Sequence, residues 1–240
     1  MQPNKTEPNM CDEKYIAGKY QASDLMSALI SDNYPLLQVM SRFGIPLGVS
    51  DRTIQEVCNQ NNVDTTTFLA VANLMLLKNK RTYKVDLQWL SLDDLMKYIR
   101  NSHIFYINFR LPSIRKNLIE ALGKSDMAHL IVRYLDDYVA HIQEHLQYEE
   151  ERLFPYINHL LSGEPDNEFS VDIFSEKHDH IDEPLTEFKN VIIKYYSGES
   201  SYGIMNVIHD LLSCAEDLLV HNMVEDRLLV PIIRKMEKAK

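Results

Sequence analysis

One pattern of side chains occurs twice in this chain, and it limits the fold more than any other feature. His145-Leu-Gln-Tyr-Glu149 is followed by Pro155, and His221-Asn-Met-Val-Glu225 by Pro231. Each copy reads His-x-x-x-Glu, with a proline ten residues after its histidine. On an α-helix, positions i and i+4 share one face, about 6 Å apart along the axis. Each copy can aim an imidazole and a carboxylate at one point. Two such helices facing each other would join two histidines and two carboxylates, which suggests a metal site.

The chain can build such helices. Its 240 residues include seven glycines, and long stretches carry helix-forming side chains. An all-α fold is expected. Residues 1–21 read as a polar tail without an apolar signal core. Residues 22–78 read as a small helical domain, with Ser23 and Ser50 as candidate helix caps and Pro35 and Pro46 as breaks. Residues 79–90 read as a linker. Residues 91–240 carry four long amphipathic segments, at about 92–122, 126–162, 170–198 and 203–238. Ser91-Leu-Asp-Asp94 resembles a capping box that opens the first, and Gly163 closes the second. Pro112 should kink the first segment. Short connections favour an up-down-up-down four-helix bundle.

The apolar stripe of each segment, read in steps of three and four, carries one histidine. The first gives Met96, Ile99, His103 and Tyr106, then loses regularity near Arg110 and Pro112. The second gives Leu135, Tyr138, Ile142, His145, Glu149, Leu153 and Tyr156. The third gives Phe174, His178, Ile181, Leu185, Phe188 and Ile192. The fourth gives Leu211, Cys214, Leu218, His221, Glu225, Leu228 and Ile232. A buried ion without a partner costs several kcal/mol. Six polar groups on inner rows must therefore pair, be hydrated or bind metal.

His103, His145, Glu149, His178, His221 and Glu225 are the expected metal ligands. Four imidazoles and two carboxylates exceed what one tetrahedral zinc needs. They suit a dinuclear iron site, with manganese second, bridged by the carboxylates. Two positions on each ion would remain for an oxo or hydroxo bridge and a small ligand. His141 and Asp182 are further candidates for the site. Tyr106 and Tyr138 can line its pocket. His129, His159 and His209 are read as surface residues, His180 as a non-ligand, and Glu150 and Asp226 as solvated charges.

These residues resemble the hemerythrin-like His-His-Glu cation-binding superfamily. The resemblance rests on Ser102-His103 with Tyr106 and Leu111-Pro112, His145-x-x-x-Glu149-Glu150 with Leu153-Phe-Pro155, Lys177-His178-Asp179, and His221-x-x-x-Glu225 with Leu229-Val-Pro231. Within it the chain looks most like the iron–sulphur cluster repair di-iron proteins. That resemblance implies the same six ligands, the first at His103 or one residue later at Ile104. Asp182 stands where oxygen carriers have another histidine. The repair family's N-terminal domain resembles residues 24–77, but its cysteine pair is replaced by Gly44-Ile-Pro-Leu-Gly-Val-Ser50.

The expected function is a cytoplasmic non-haem di-iron protein. It would bind O2 or NO, or supply iron to iron–sulphur proteins, under oxidative or nitrosative stress. Two other readings are an oxygen or redox sensor signalling to a protein partner, and a metal-free interaction bundle with mutually satisfied Glu–His pairs. A net charge of −10 without clustered Lys and Arg argues against nucleic acid. No apolar run reaches the length of a membrane span. Cys11, Cys58 and Cys214 are too widely spaced for a CxxC site and are read as reduced thiols. Oligomeric state and enzymatic activity stay open.

Overall fold

The computed structural model describes residues 20–76, 85–163, 169–177, 182–196 and 202–239. Every regular element among them is helical, and the one β-contact is an isolated bridge between Leu25 and Thr53. None of these helices is long and apolar enough to cross a membrane. The chain divides into two compact units, residues 1–98 and 99–240.

The first unit holds α1 (Met26–Asp32), α2 (Leu36–Phe43), α3 (Ile54–Gln60) and α4 (Thr65–Leu76). The Ser23 and Ser50 caps are not formed. α1 follows Leu25, and Ser50 sits at φ 51° in the left-handed region. The cap forms at Thr53, which opens α3 with a complete capping box. Its hydroxyl accepts from the Glu56 amide (3.2 Å), and the Glu56 carboxylate accepts from the Thr53 amide (2.8 Å). α2 ends on Gly44 at φ 75°, where a glycine avoids the Cβ clash. Phe43 anchors the core, with ring centroids 5.5 Å from Phe68 and 5.1 Å from Tyr98.

α5 (Leu92–Phe105) begins in this unit, and the division falls inside it, after Tyr98. Ser91 does cap α5, its hydroxyl accepting from the Asp94 amide (3.2 Å). The return half of that box is absent. The Asp94 carboxylate instead accepts from the Asp64 amide (2.8 Å), and the Ser91 amide donates to the Thr67 hydroxyl (2.7 Å).

Among the described residues, the helices of the second unit group along the chain into four rods. The first continues through α6 (Leu111–Leu122). The second is α7 (Asp126–Tyr148) with α8 (Phe154–Ser162), and it ends on the left-handed Gly163. The described parts of the third are α9 (Val171–Lys177) and α10 (Asp182–Tyr195), and the fourth is α11 (Tyr202–Val224) with α12 (Val230–Lys238). α6 packs against α7 and α11, and α10 packs against the same two. Near the other end α12 lies against α8 and α9. Leu118, Leu135, Ile142, Leu185, Phe188 and Leu211 are among the side chains that fill the centre. Each such apolar side chain contributes about 1.5–3 kcal/mol on burial.

Three rods share an irregularity. A five-residue π-helical turn interrupts each, at Tyr106–Arg110, Glu149–Leu153 and Glu225–Leu229. Each is followed, two residues past its end, by a proline: Pro112, Pro155 or Pro231. Proline has no amide to donate, and its ring clashes with the carbonyl four residues back. The wider turn moves that carbonyl away. The amides of Leu111, Phe154 and Val230 reach five residues back, to the carbonyls of Tyr106, Glu149 and Glu225. A π turn adds one residue to the helix, so the inner row shifts by one beyond it. After Tyr106 the row resumes at Leu111 while Phe109 faces solvent, which explains the irregular stretch in the first segment. In the fourth rod Ile233 is buried, and the expected Ile232 is only half-buried.

Candidate metal centre

The inner faces of three rods bring histidine and glutamate together where the helices change pitch. On the second rod, His145 Nε2 stands 2.7 Å from Glu149 Oε1. On the fourth, His221 Nε2 stands 3.3 Å from Glu225 Oε1. The first rod contributes His103, whose Nε2 lies 3.0 Å from Glu149 Oε2. The two oxygens of Glu149 therefore face two different imidazoles, one from its own rod and one from a neighbour. The His103 and His221 rings meet edge to face at 5.3 Å, and Tyr106 meets His221 in the same way at 5.7 Å.

His103, Glu149, His221 and Glu225 form a group in which one ligand atom from each lies within 4.8 Å of the others. Glu149, His221 and Glu225 are 0% exposed and His103 5%. His145 joins at the edge through Glu149, its side chain 9% exposed. Of the two candidate positions on the first rod, His103 is buried and Ile104 is 52% exposed. His178 lies outside the described residues, as does the side chain of Asp182. His141 is exposed, as are His129, His159 and His209.

Electrostatics match this layout. Burial alone pushes the His103 imidazole toward lower pKa. The hydrogen bonds it donates to Glu149 and Glu150, with the charges of Glu149 and Glu225, overcome burial and raise it to about 9. Two wholly buried carboxylates call for positive charge nearby, since an uncompensated ion in the interior costs several kcal/mol. Imidazole and carboxylate are borderline and hard donors, respectively, and their mixture suits a first-row divalent ion. The residues present fit a metal ion.

Glu150 departs from its reading as a solvated charge. Its Oε1 accepts from His103 Nδ1–H at 2.9 Å, and its Oε2 pairs with Arg100 at 3.4 Å. The Arg100 guanidinium lies over the Phe154 ring at 4.6 Å, and that ring packs 5.9 Å from His103. A signal existed in the doubled acid Glu149-Glu150. A buried histidine offering one nitrogen to a metal needs an acceptor for the other.

The fold and the site define a class: a helical bundle with a buried histidine–glutamate group that can bind a metal ion. The hemerythrin HHE cation-binding domain model matches residues 109–233, more than half of the chain, and the protein belongs to that family. His145, Glu149, His178, His221 and Glu225 lie inside the matched span, and His103 lies just before it. No curated protein and no solved structure matches the chain.

Proposed function

We propose that the bundle holds a non-haem di-iron centre, with His103, His145, His178 and His221 as terminal ligands and Glu149 and Glu225 as bridges. The observation that carries this reading is Glu149, whose two oxygens face two imidazoles from different rods in a fully buried setting. Carboxylates projecting inward from facing helices, each with a nearby histidine, suit a pair of ions better than one. Bound iron would supply one-electron redox chemistry and open positions for a small ligand such as O2 or NO.

The side chains set the conditions for that chemistry. The surrounding apolar residues exclude bulk water. Tyr106, edge-on to His221, adds a phenol beside the cluster. The role that follows is handling a diatomic ligand, or supplying iron to iron–sulphur proteins, under oxidative or nitrosative stress in the cytoplasm. Closeness to the iron–sulphur cluster repair proteins is proposed on the ligand motifs of the bundle. It does not extend to thiol chemistry at residues 44–50, which contain no cysteine.

A metal-free bundle is the competing reading. The direct contacts of 2.7–3.3 Å between His145 and Glu149, His103 and Glu149, and His221 and Glu225 favour it. Substitution separates the two. His145→Ala and Glu225→Ala are each expected to remove most of the iron from anaerobically prepared protein. Full iron content in both variants would overturn the ligand assignment.

A further inference from the structure

Both ring nitrogens of His103 are gripped by adjacent glutamates of the second rod. Nε2 faces Glu149 Oε2 at 3.0 Å, on the cluster side, and Nδ1–H donates to Glu150 Oε1 at 2.9 Å, on the outer side. The outer carboxylate is itself braced. Its second oxygen pairs with Arg100, whose guanidinium rests on Phe154, and Phe154 packs on the His103 ring. The cluster side is sealed, whereas the side chains of Glu150 and Arg100 are 38% and 45% exposed.

We propose that Glu150 is the positioning residue of this metal centre, fixing the orientation and tautomer of His103 so that Nε2 is the nitrogen presented to the ion. An imidazole can turn about its Cβ–Cγ bond and offer either nitrogen. An acceptor held at Nδ1 removes that freedom, and such partners are worth about 10–100-fold in metal affinity. His103 has the most to gain. His145 and His221 sit four residues before a glutamate on their own helices, while His103 has no acid at i+4, where Ile107 stands. Its cluster partner and its outer partner both come from the neighbouring rod.

This inference rests on the metal-site reading, and the test separates the two. Anaerobic Fe(II) titration is carried out on the full-length wild-type chain and on Glu150→Ala and Glu150→Gln, with melting of each metal-free protein recorded alongside. Glu150→Ala is expected to bind Fe(II) about 10–100-fold more weakly. Glu150→Gln, whose amide oxygen still accepts from Nδ1–H, is expected to stay within a few-fold of wild type. Glu150→Ala is expected to melt lower than wild type, because it leaves the buried Nδ1–H of His103 without its acceptor, and Glu150→Gln close to wild type; the titrations are run at a temperature where all three are folded. Equal affinity in Glu150→Ala and wild type would overturn the proposal, as would Glu150→Gln falling as far as Glu150→Ala. A measurement on the unaltered chain stands independently of any folding defect. In the Zn(II)-loaded protein, nitrogen NMR should show His103 protonated at Nδ1 with a slowly exchanging proton. Protonation at Nε2 would overturn the proposal. Absence of any Fe(II) binding by wild type would sink the metal-site reading itself, and this inference with it.

Discussion

Glu149 and Cys58 show how burial acts on single residues in opposite ways. The Glu149 carboxylate is buried among imidazoles that offer a polar partner to each of its oxygens. Cys58 is buried chiefly among groups that do not: burial pushes its thiol up to about 12, against a partial opposing effect from the Thr65 hydrogen bond. The neutral thiol is therefore favoured by the fold. That contribution is fully present below the ordinary thiol value of 9.0 and fades as pH rises from there through about 12. Iodoacetamide at pH 8 should leave Cys58 unmodified in the folded chain and alkylate it once the chain is unfolded. Rapid labelling of the folded chain would show that the thiol is more accessible than its surroundings indicate. At this scale much of the candidate centre was legible. The His-x-x-x-Glu spacing places each pair on one helical face, and the pairs are in contact. Glu150 was not legible, because its partner His103 lies on another rod and no local spacing connects them.

The helices show where a fixed period serves and where it fails. Gly163 and Ser91 mark rod ends that a reader of capping rules can find. Ser50 was read as a cap, but its backbone is left-handed and the cap forms three residues later at Thr53. Thr53→Ala should cost about 1 kcal/mol in a denaturant unfolding experiment. The π turns were beyond reach, because stepping by three and four assumes 3.6 residues per turn throughout. The prolines contained the hint, since each lies six residues beyond the first residue of a π turn. One consequence can be measured. Ile233→Ala should destabilise the chain by about 2–5 kcal/mol, and Ile232→Ala by clearly less. The reverse order would mean that the fourth rod runs through without the extra residue.

For the molecule as a whole, the centre ties three separate rods together, so metal and stability are linked. Glu149 on the second rod, Glu225 on the fourth and His103 on the first converge within 4.8 Å. An ion that binds there and not to the unfolded chain stabilises the folded state by about 2.7 kcal/mol at a free concentration of a hundred times its Kd. Chelation should lower the thermal midpoint, and restoring Fe(II) should raise it in a concentration-dependent way. The all-helical class was legible from composition, because few glycines and sustained amphipathic stretches leave little else. Which residues of the first rod face inward was less so, since its apolar row breaks at the π turn beside Tyr106.

The most direct test of the central claim is the metal content of the wild-type chain purified without oxygen. About two irons per chain, with visible absorption free of haem features, is the expected result. Protein that is fully folded yet takes up no metal, even when offered Fe(II), would contradict it.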